Sequence, residues 1–162
     1  MEGIIVLIFF LVLFIILIYK GITEKKKKEE NLRKQFAENY GKVNVRIFKN
    51  EELERISHYC KDRMTEHSID ELTWNDLDMD LIYQQMAYTR SSPGDDYLYY
   101  MLRNPVKEEE VLLDREKKIS CLAENQELRI KLQVIFAQMG RIRDYSFADY
   151  LNYLMQEIQE VM

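Results

Sequence analysis

Apolar residues fill the first stretch of the chain without a break, and after it they recur only at every third or fourth position. Residues 3–19, GIIVLIFFLVLFIILIY, carry no charge. At about 1.5 Å of rise per residue a helix of this run reaches roughly 25 Å, near the lower limit for crossing hydrocarbon. Phe9, Phe10, Phe14 and the aliphatics between them leave no polar face, and a helix apolar all round needs lipid or a large core about it. The run predicts a transmembrane anchor over residues 1–20. A cleaved signal peptide would carry positive charge ahead of the run and small residues after it; Glu2 stands ahead, and Tyr19, Lys20 and Ile22 follow.

Beyond the anchor the pattern becomes amphipathic. Residues 24–40 predict a polar helix continuing from the anchor, with Gly41 as its left-handed stop, and residues 43–48 an extended linker or single strand. Asn50 is placed to cap a helix carrying Leu53, Ile56, Cys60 and Met64 and ending near His67. Asp76 or Asp78 is placed to cap a short helix carrying Leu81, Ile82 and Met86, and Trp74, set in a turn, to plug a gap between helices.

The stretch Tyr88 to Pro105, YTRSSPGDDYLYYMLRNP, reads as a helix start and stop. Ser92 is the expected N-cap, Pro93 the first helical residue, and Asp95 the partner in a capping-box-like exchange at the positive end of the dipole. Gly94 shares a side with Leu98 and Met101, where a missing side chain admits another backbone. Pro105 stops the helix after about three turns.

From Val106 a further helix begins, with Glu108, Glu109 and Glu110 in its first turn and an inward line Leu112, Arg115, Ile119, Leu122. An arginine in that line requires a carboxylate, from the 70–80 stretch or from Asp95 or Asp96. Leu128, Leu132, Ile135 and Met139 form a stripe closed by Gly140. Ser146, with Asp149 three later, opens another through Leu151, Leu154, Ile158 and Val161, the two pairing as a hairpin across 140–146. With no glycine, proline or basic turn to end it, the last stripe predicts a helix that continues past Met162. The whole is all-α: anchor 1–20, basic juxtamembrane helix and linker 21–49, helical core fragment 50–162.

Charge sharpens the placement. Lys20 and the block Lys25, Lys26, Lys27 and Lys28 follow the anchor, so the positive-inside bias puts the N-terminus outside and the body in the cytoplasm of a single-pass cell-membrane protein. The same block can meet anionic headgroups. Residues 20–50 carry ten Lys/Arg against four Asp/Glu, and residues 51–114 carry six against sixteen. An acidic body lacks the positive stripe that nucleic-acid binding needs.

Little in the sequence points to chemistry. The five glycines, 3, 21, 41, 94 and 140, are too far apart for GxxxxGK[ST] or GxGxxG. His58 and His67, with Cys60 and Glu66, do not follow a zinc spacing. Asp76, Asp78 and Asp80 read as caps rather than a magnesium site. Cys60 and Cys121 read as small core residues in a reducing compartment. The five tyrosines between 83 and 100 read as packing, since their neighbours are acidic. No catalytic, cofactor-binding or metal residue is expected in this chain.

Residues 72–119 resemble the opening of the core domain of the MutS family of DNA mismatch-repair ATPases. The resemblance rests on Leu77 and Asp78 as lead-in, Thr89 with Ser91, Ser92 and Gly94 in the turn, Leu98 and Leu102 before Pro105, then Arg115 and Ile119. The leading apolar helix sets this chain apart from the repair enzymes and is similar to a membrane-tethered branch. The resemblance implies a structural hub from which lever helices start and which, in full-length relatives, links ATP hydrolysis to DNA-associated rearrangement. ATP, Mg and DNA would belong to regions not present here, and the partners would be the membrane, a C-terminal ATPase region or a second copy. A competing expectation is a complete membrane-anchored helical adaptor that binds another protein and has no DNA or ATP role.

Overall fold

A computed structural model describes the backbone of residues 2–43, 46–142 and 145–161, without the side chains of Glu2, Ile4, Ile5, Val6, Ile8, Glu160 and Val161. The described residues are all-helical, with no strand, in two compact units, 1–40 and 41–162. Positions 44 and 45 of the expected linker strand, and 143 and 144 of the expected hairpin turn, lie outside them.

The first unit is one unbroken helix, α1 (Glu2–Glu38). The described aliphatics and rings of residues 7–22 stand open, with Leu7, Phe9, Phe10 and Phe14 all more than 60 % exposed, whereas Phe36 near the end of the helix is buried. Among the described residues no helix is long and apolar enough to cross a membrane.

The second unit opens at Gly41, whose φ of 75° is the left-handed geometry expected of a stop. It holds α2 (Asn50–Lys61), α3 (Glu71–Asp76), α4 (Met79–Met86), α5 (Ser92–Arg103), α6 (Glu109–Glu124), α7 (Gln126–Met139) and α8 (Phe147–Val161). α2 lies along α5, and α8 packs on both; α3 and α4 close the other end of α5 through α4, while α6 and α7 pair with each other. Ile56, Cys60, Trp74, Tyr83 and Tyr99 are the centre of the core. Four rings run through it in series: Phe48 to Tyr83 at 5.2 Å, Tyr83 to Tyr99 at 5.5 Å, Tyr99 to Trp74 at 4.8 Å. Such pairs contribute about 1 kcal/mol each beyond their burial.

Local chemistry explains where these helices start, and several expectations shift by a residue or a face. α2 is capped at Lys49, one residue before Asn50, because the Glu52 carboxylate reaches back to the Lys49 amide at 3.2 Å. It ends at Lys61, well short of His67, and leaves Met64 43 % exposed. Trp74 sits within a helix, α3, whose cap Asp70 accepts from the Thr73 amide at 2.8 Å. α4 begins at Asp78, held at φ 49°, and turns Met79 and Tyr83 inward. Leu81, Ile82 and Met86 therefore face out, since the Tyr83 ring fills the core while its hydroxyl donates to the Asp95 carbonyl at 3.2 Å.

α5 is capped by Ser91, not Ser92; the Ser91 hydroxyl accepts from the Gly94 amide at 3.4 Å. Gly94 makes room for the Thr89 side chain, 3.3 Å from where a Cβ would stand, and not for another helix. Nothing in α6 is buried, so the expected inward line through Leu112 and Ile119 lies open. α7 buries Ile130 and Val134, about half a turn from the expected stripe. The tight helical hairpin is α6–α7, where Asn125 caps α7 through the Leu128 amide at 2.9 Å and the Arg129 guanidinium meets the carbonyls of Leu122 and Ala123. α8 lies against α2 and α5.

Candidate functional site

The buried line of α5 is Ser92, Asp95, Asp96, Tyr99 and Arg103, four of the five polar and three charged. Spacings of three, one, three and four put them on one helical face. Leu98, Met101 and Leu102 are only half-buried on the flanks. A helix that turns carboxylates inward must bring them partners.

Asp95, 1 % exposed, receives them from three other segments. Arg46 Nη1 donates to Oδ1 at 2.7 Å and Arg141 Nε to Oδ2 at 3.1 Å, while the Thr89 hydroxyl also donates to Oδ1. Arg141 Nη2 then donates to the Thr89 carbonyl at 2.6 Å. Arg46 lies over the Phe48 ring at 4.0 Å, which ties the charge centre to the aromatic series. Ser92, free of capping, accepts from the Ile142 amide at 2.8 Å, and its own amide donates to the Gly140 carbonyl at 3.2 Å. Gly140 supplies φ 72° and ψ −166°, a region open essentially to glycine alone, so the chain can turn back against α5.

Asp96, equally buried, points the other way. Its Oδ2 accepts from the Phe147 amide at 3.2 Å, at the positive start of α8. Oδ1 has no hydrogen-bond partner among the described residues. Burial pushes its carboxyl up to about 7, against the pull of the Phe147 amide and Arg55. The α8 start has two further ties. Ser146 and Asp149 close a reciprocal cap, with the Ser146 hydroxyl 2.9 Å from the Asp149 amide, and His58 Nδ1 lies 2.9 Å from Asp149 Oδ2. Burial alone would raise Asp149; the His58 imidazole and the Ser146 hydroxyl hold it below the usual carboxylate range.

A second arginine centre closes the far end of α5. The Arg103 guanidinium lies over Trp74 at 4.2 Å and donates to Glu71 at 2.6 Å and to the Ile69 carbonyl at 3.0 Å. The Trp74 ring nitrogen donates to Asp80 at 2.8 Å.

Arg115 is half-buried on α6 and forms no ion pair with the 70–80 stretch or with Asp95 or Asp96. Arg46 and Arg141 take Asp95, and Arg103 takes Glu71. The signal for Arg103 was present in its spacing, seven residues after Asp96 and four after Tyr99, hidden by its place two residues before Pro105. Arg46 and Arg141 carry no local signal, because they reach α5 from 49 and 46 residues away. Of the other expected positions, Pro93 and Gly94 form the first turn of α5, and Lys20 and Lys25 to Lys28 stand exposed on α1.

His58 pairs with Asp149 and His67 lies 3.6 Å from Glu66, while Cys60 Sγ is 3.6 Å from Met64 Sδ. The described residues include no group of three His, Cys, Asp or Glu that could hold a metal ion. Beside Asp96 runs an apolar groove of about 540 Å³, walled by Tyr59, Tyr97, Phe136, Phe147, Leu151 and Met155. The saturated Asp95 carboxylate and the caged Arg103 guanidinium lock segments together, whereas Asp96 keeps one oxygen without a hydrogen-bond partner among the described residues. Comparison with protein-family models, with curated proteins and with solved structures finds no match for this chain.

Proposed function

We propose that the chain is the membrane anchor and the start of the helical core of a MutS-like ATPase, and that its body is a mechanical hub without chemistry of its own. The observation that carries this reading is Asp95, where α5, the Thr89 turn, the segment before α2 and the segment after α7 meet on one buried carboxylate. Withdrawing the Arg46 or the Arg141 segment leaves the buried carboxylate with one cation in place of two, and withdrawing the Thr89 turn removes a hydroxyl donor, so each loss is unfavourable. The segments therefore move together or not at all, as a hub between distant sites requires. The residues of the resemblance, Thr89, Ser91, Ser92 and Gly94, make up the turn around this carboxylate, which supports placing the hub there.

The anchor is residues 1–20 of a single-pass protein with the body on the cytoplasmic side. Its support is an uncharged run completed in sequence by Ile4, Ile5, Val6 and Ile8, and followed at once by Lys20 and the lysine block. ATP and Mg would be bound by a region beyond Met162, and DNA by other regions of the full-length protein.

The coding sequence downstream of Met162 tests the assignment. A continuing frame that encodes GxxxxGK[ST], and an extended product that hydrolyses ATP, is the expected outcome; a frame with no such motif overturns it. The apolar groove beside α8 favours a second reading, an adaptor that docks another protein and has no ATP role. That reading gains if the extended product is missing and the chain alone recruits a partner to the membrane.

A further inference from the structure

The positive charge after the apolar run of α1 is divided sharply in two. Arg33 Nη2 lies 3.0 Å from Glu29 and Lys34 Nζ 3.9 Å from Glu30, so the outer turns of α1 neutralise themselves. Residues 29–34 carry two acids and two bases, a net charge of zero. Residues 20–28 carry five lysines and Glu24, a net charge of plus four, and the described ion pairs include none at Lys20 or at Lys25 to Lys28. All five lysines are exposed.

Geometry turns the block into a ring. At about 100° per residue, Lys25 to Lys28 cover the full circumference of an unbroken helix within about 4.5 Å along its axis. Lys25 lies six residues past Tyr19, about 9 Å along that axis. A headgroup layer is about 5–8 Å deep on each side of the hydrocarbon. The block, about 9–14 Å past Tyr19, therefore lies just outside that layer, within reach of phosphates once the stems bend back along the helix. A topology signal needs only an excess of Lys/Arg near the end of the span; it needs neither a complete ring nor internal pairing of the more distant charges.

We propose that Lys25, Lys26, Lys27 and Lys28 form a collar that binds the phosphates of anionic phospholipids around α1. The collar rests on the membrane-anchor reading. It holds a shell of acidic lipid at the neck of the protein, and the acidic body, with sixteen Asp/Glu against six Lys/Arg over residues 51–114, is repelled from the same surface.

The test uses the full chain reconstituted into vesicles of equal parts phosphatidylcholine and phosphatidylglycerol, with spin-labelled versions of each lipid read by electron paramagnetic resonance. Identical leaflets make the result independent of insertion direction. The expected result is a preference for phosphatidylglycerol on the order of threefold to tenfold at low salt, falling towards parity near 1 M salt, where screening acts within about 3 Å. Lys25, Lys26, Lys27 and Lys28 all→Gln abolishes the preference, all→Arg keeps it, and the charge-neutral pair Glu29→Gln with Arg33→Gln leaves it unchanged. A chain that withstands a high-pH wash but shows equal affinity for both lipids, or keeps its preference in the Gln variant, overturns the collar alone. A chain that washes off overturns the anchor and the collar with it.

Discussion

Asp95 and Asp96 are neighbours with opposite situations. Asp95 has both oxygens engaged by cations and a hydroxyl, so Asp95→Asn leaves Arg46 and Arg141 around a neutral amide. The expected loss is about 3 kcal/mol, read as a lower urea midpoint with unchanged slope. Asp96 has one backbone partner, and its folded carboxyl is raised from the ordinary 3.8 to about 7. A raised acid binds its proton more tightly when folded, so its contribution falls as pH rises from about 4 to about 7 and then levels off. Asp96→Asn keeps an acceptor for the Phe147 amide and removes this titration. Urea midpoints of the variant should decline less between pH 5 and pH 8 than those of the parent; an identical decline would refute the assignment.

Helix boundaries depend on chemistry within a few residues, and much of it was legible. Proline and glycine punctuation around 93, 105 and 140, and the Ser146–Asp149 exchange, mark real starts and stops. One-residue shifts arose where two candidates were adjacent: Ser91 caps α5 because Ser92 is needed by the Ile142 amide. Faces were harder to read, since the apolar rule selects Leu98 and Met101 on α5, whereas its inward line is mostly polar. Its Asp95 is neutralised by Arg46 and Arg141, and a pairing across nearly fifty residues leaves no periodic trace. Two changes separate these levels. Ser91→Ala removes a cap and should cost about 1 kcal/mol. Gly140→Ala forces a side chain into a glycine-only conformation, costing about 1–3 kcal/mol, and should also increase hydrogen exchange at the Ile142 amide that the turn delivers to Ser92.

At the level of the molecule, the two units are built on different terms. Residues 41–162 have a core of aromatic rings bracketed by two arginine centres, whereas α6 contributes no buried residue. Hydrogen exchange should therefore be slowest in α2 and α5 and fastest, within the helices of the body, in α6. Uniform protection would argue against the hub, which needs a rigid centre with looser arms.

The span between Arg46 and Arg141 also sets a schedule. A ribosome delivers Asp95 long after Arg46 but well before Arg141, so the growing polypeptide passes through a period in which one carboxylate has only half its cations and the glycine turn does not yet exist. Chains arrested shortly before residue 141 should be cleaved readily by added protease, and those released just beyond it should resist. Assembly is thus completed by a late clasp, and any truncation that removes the clasp should forfeit the earlier helices along with it.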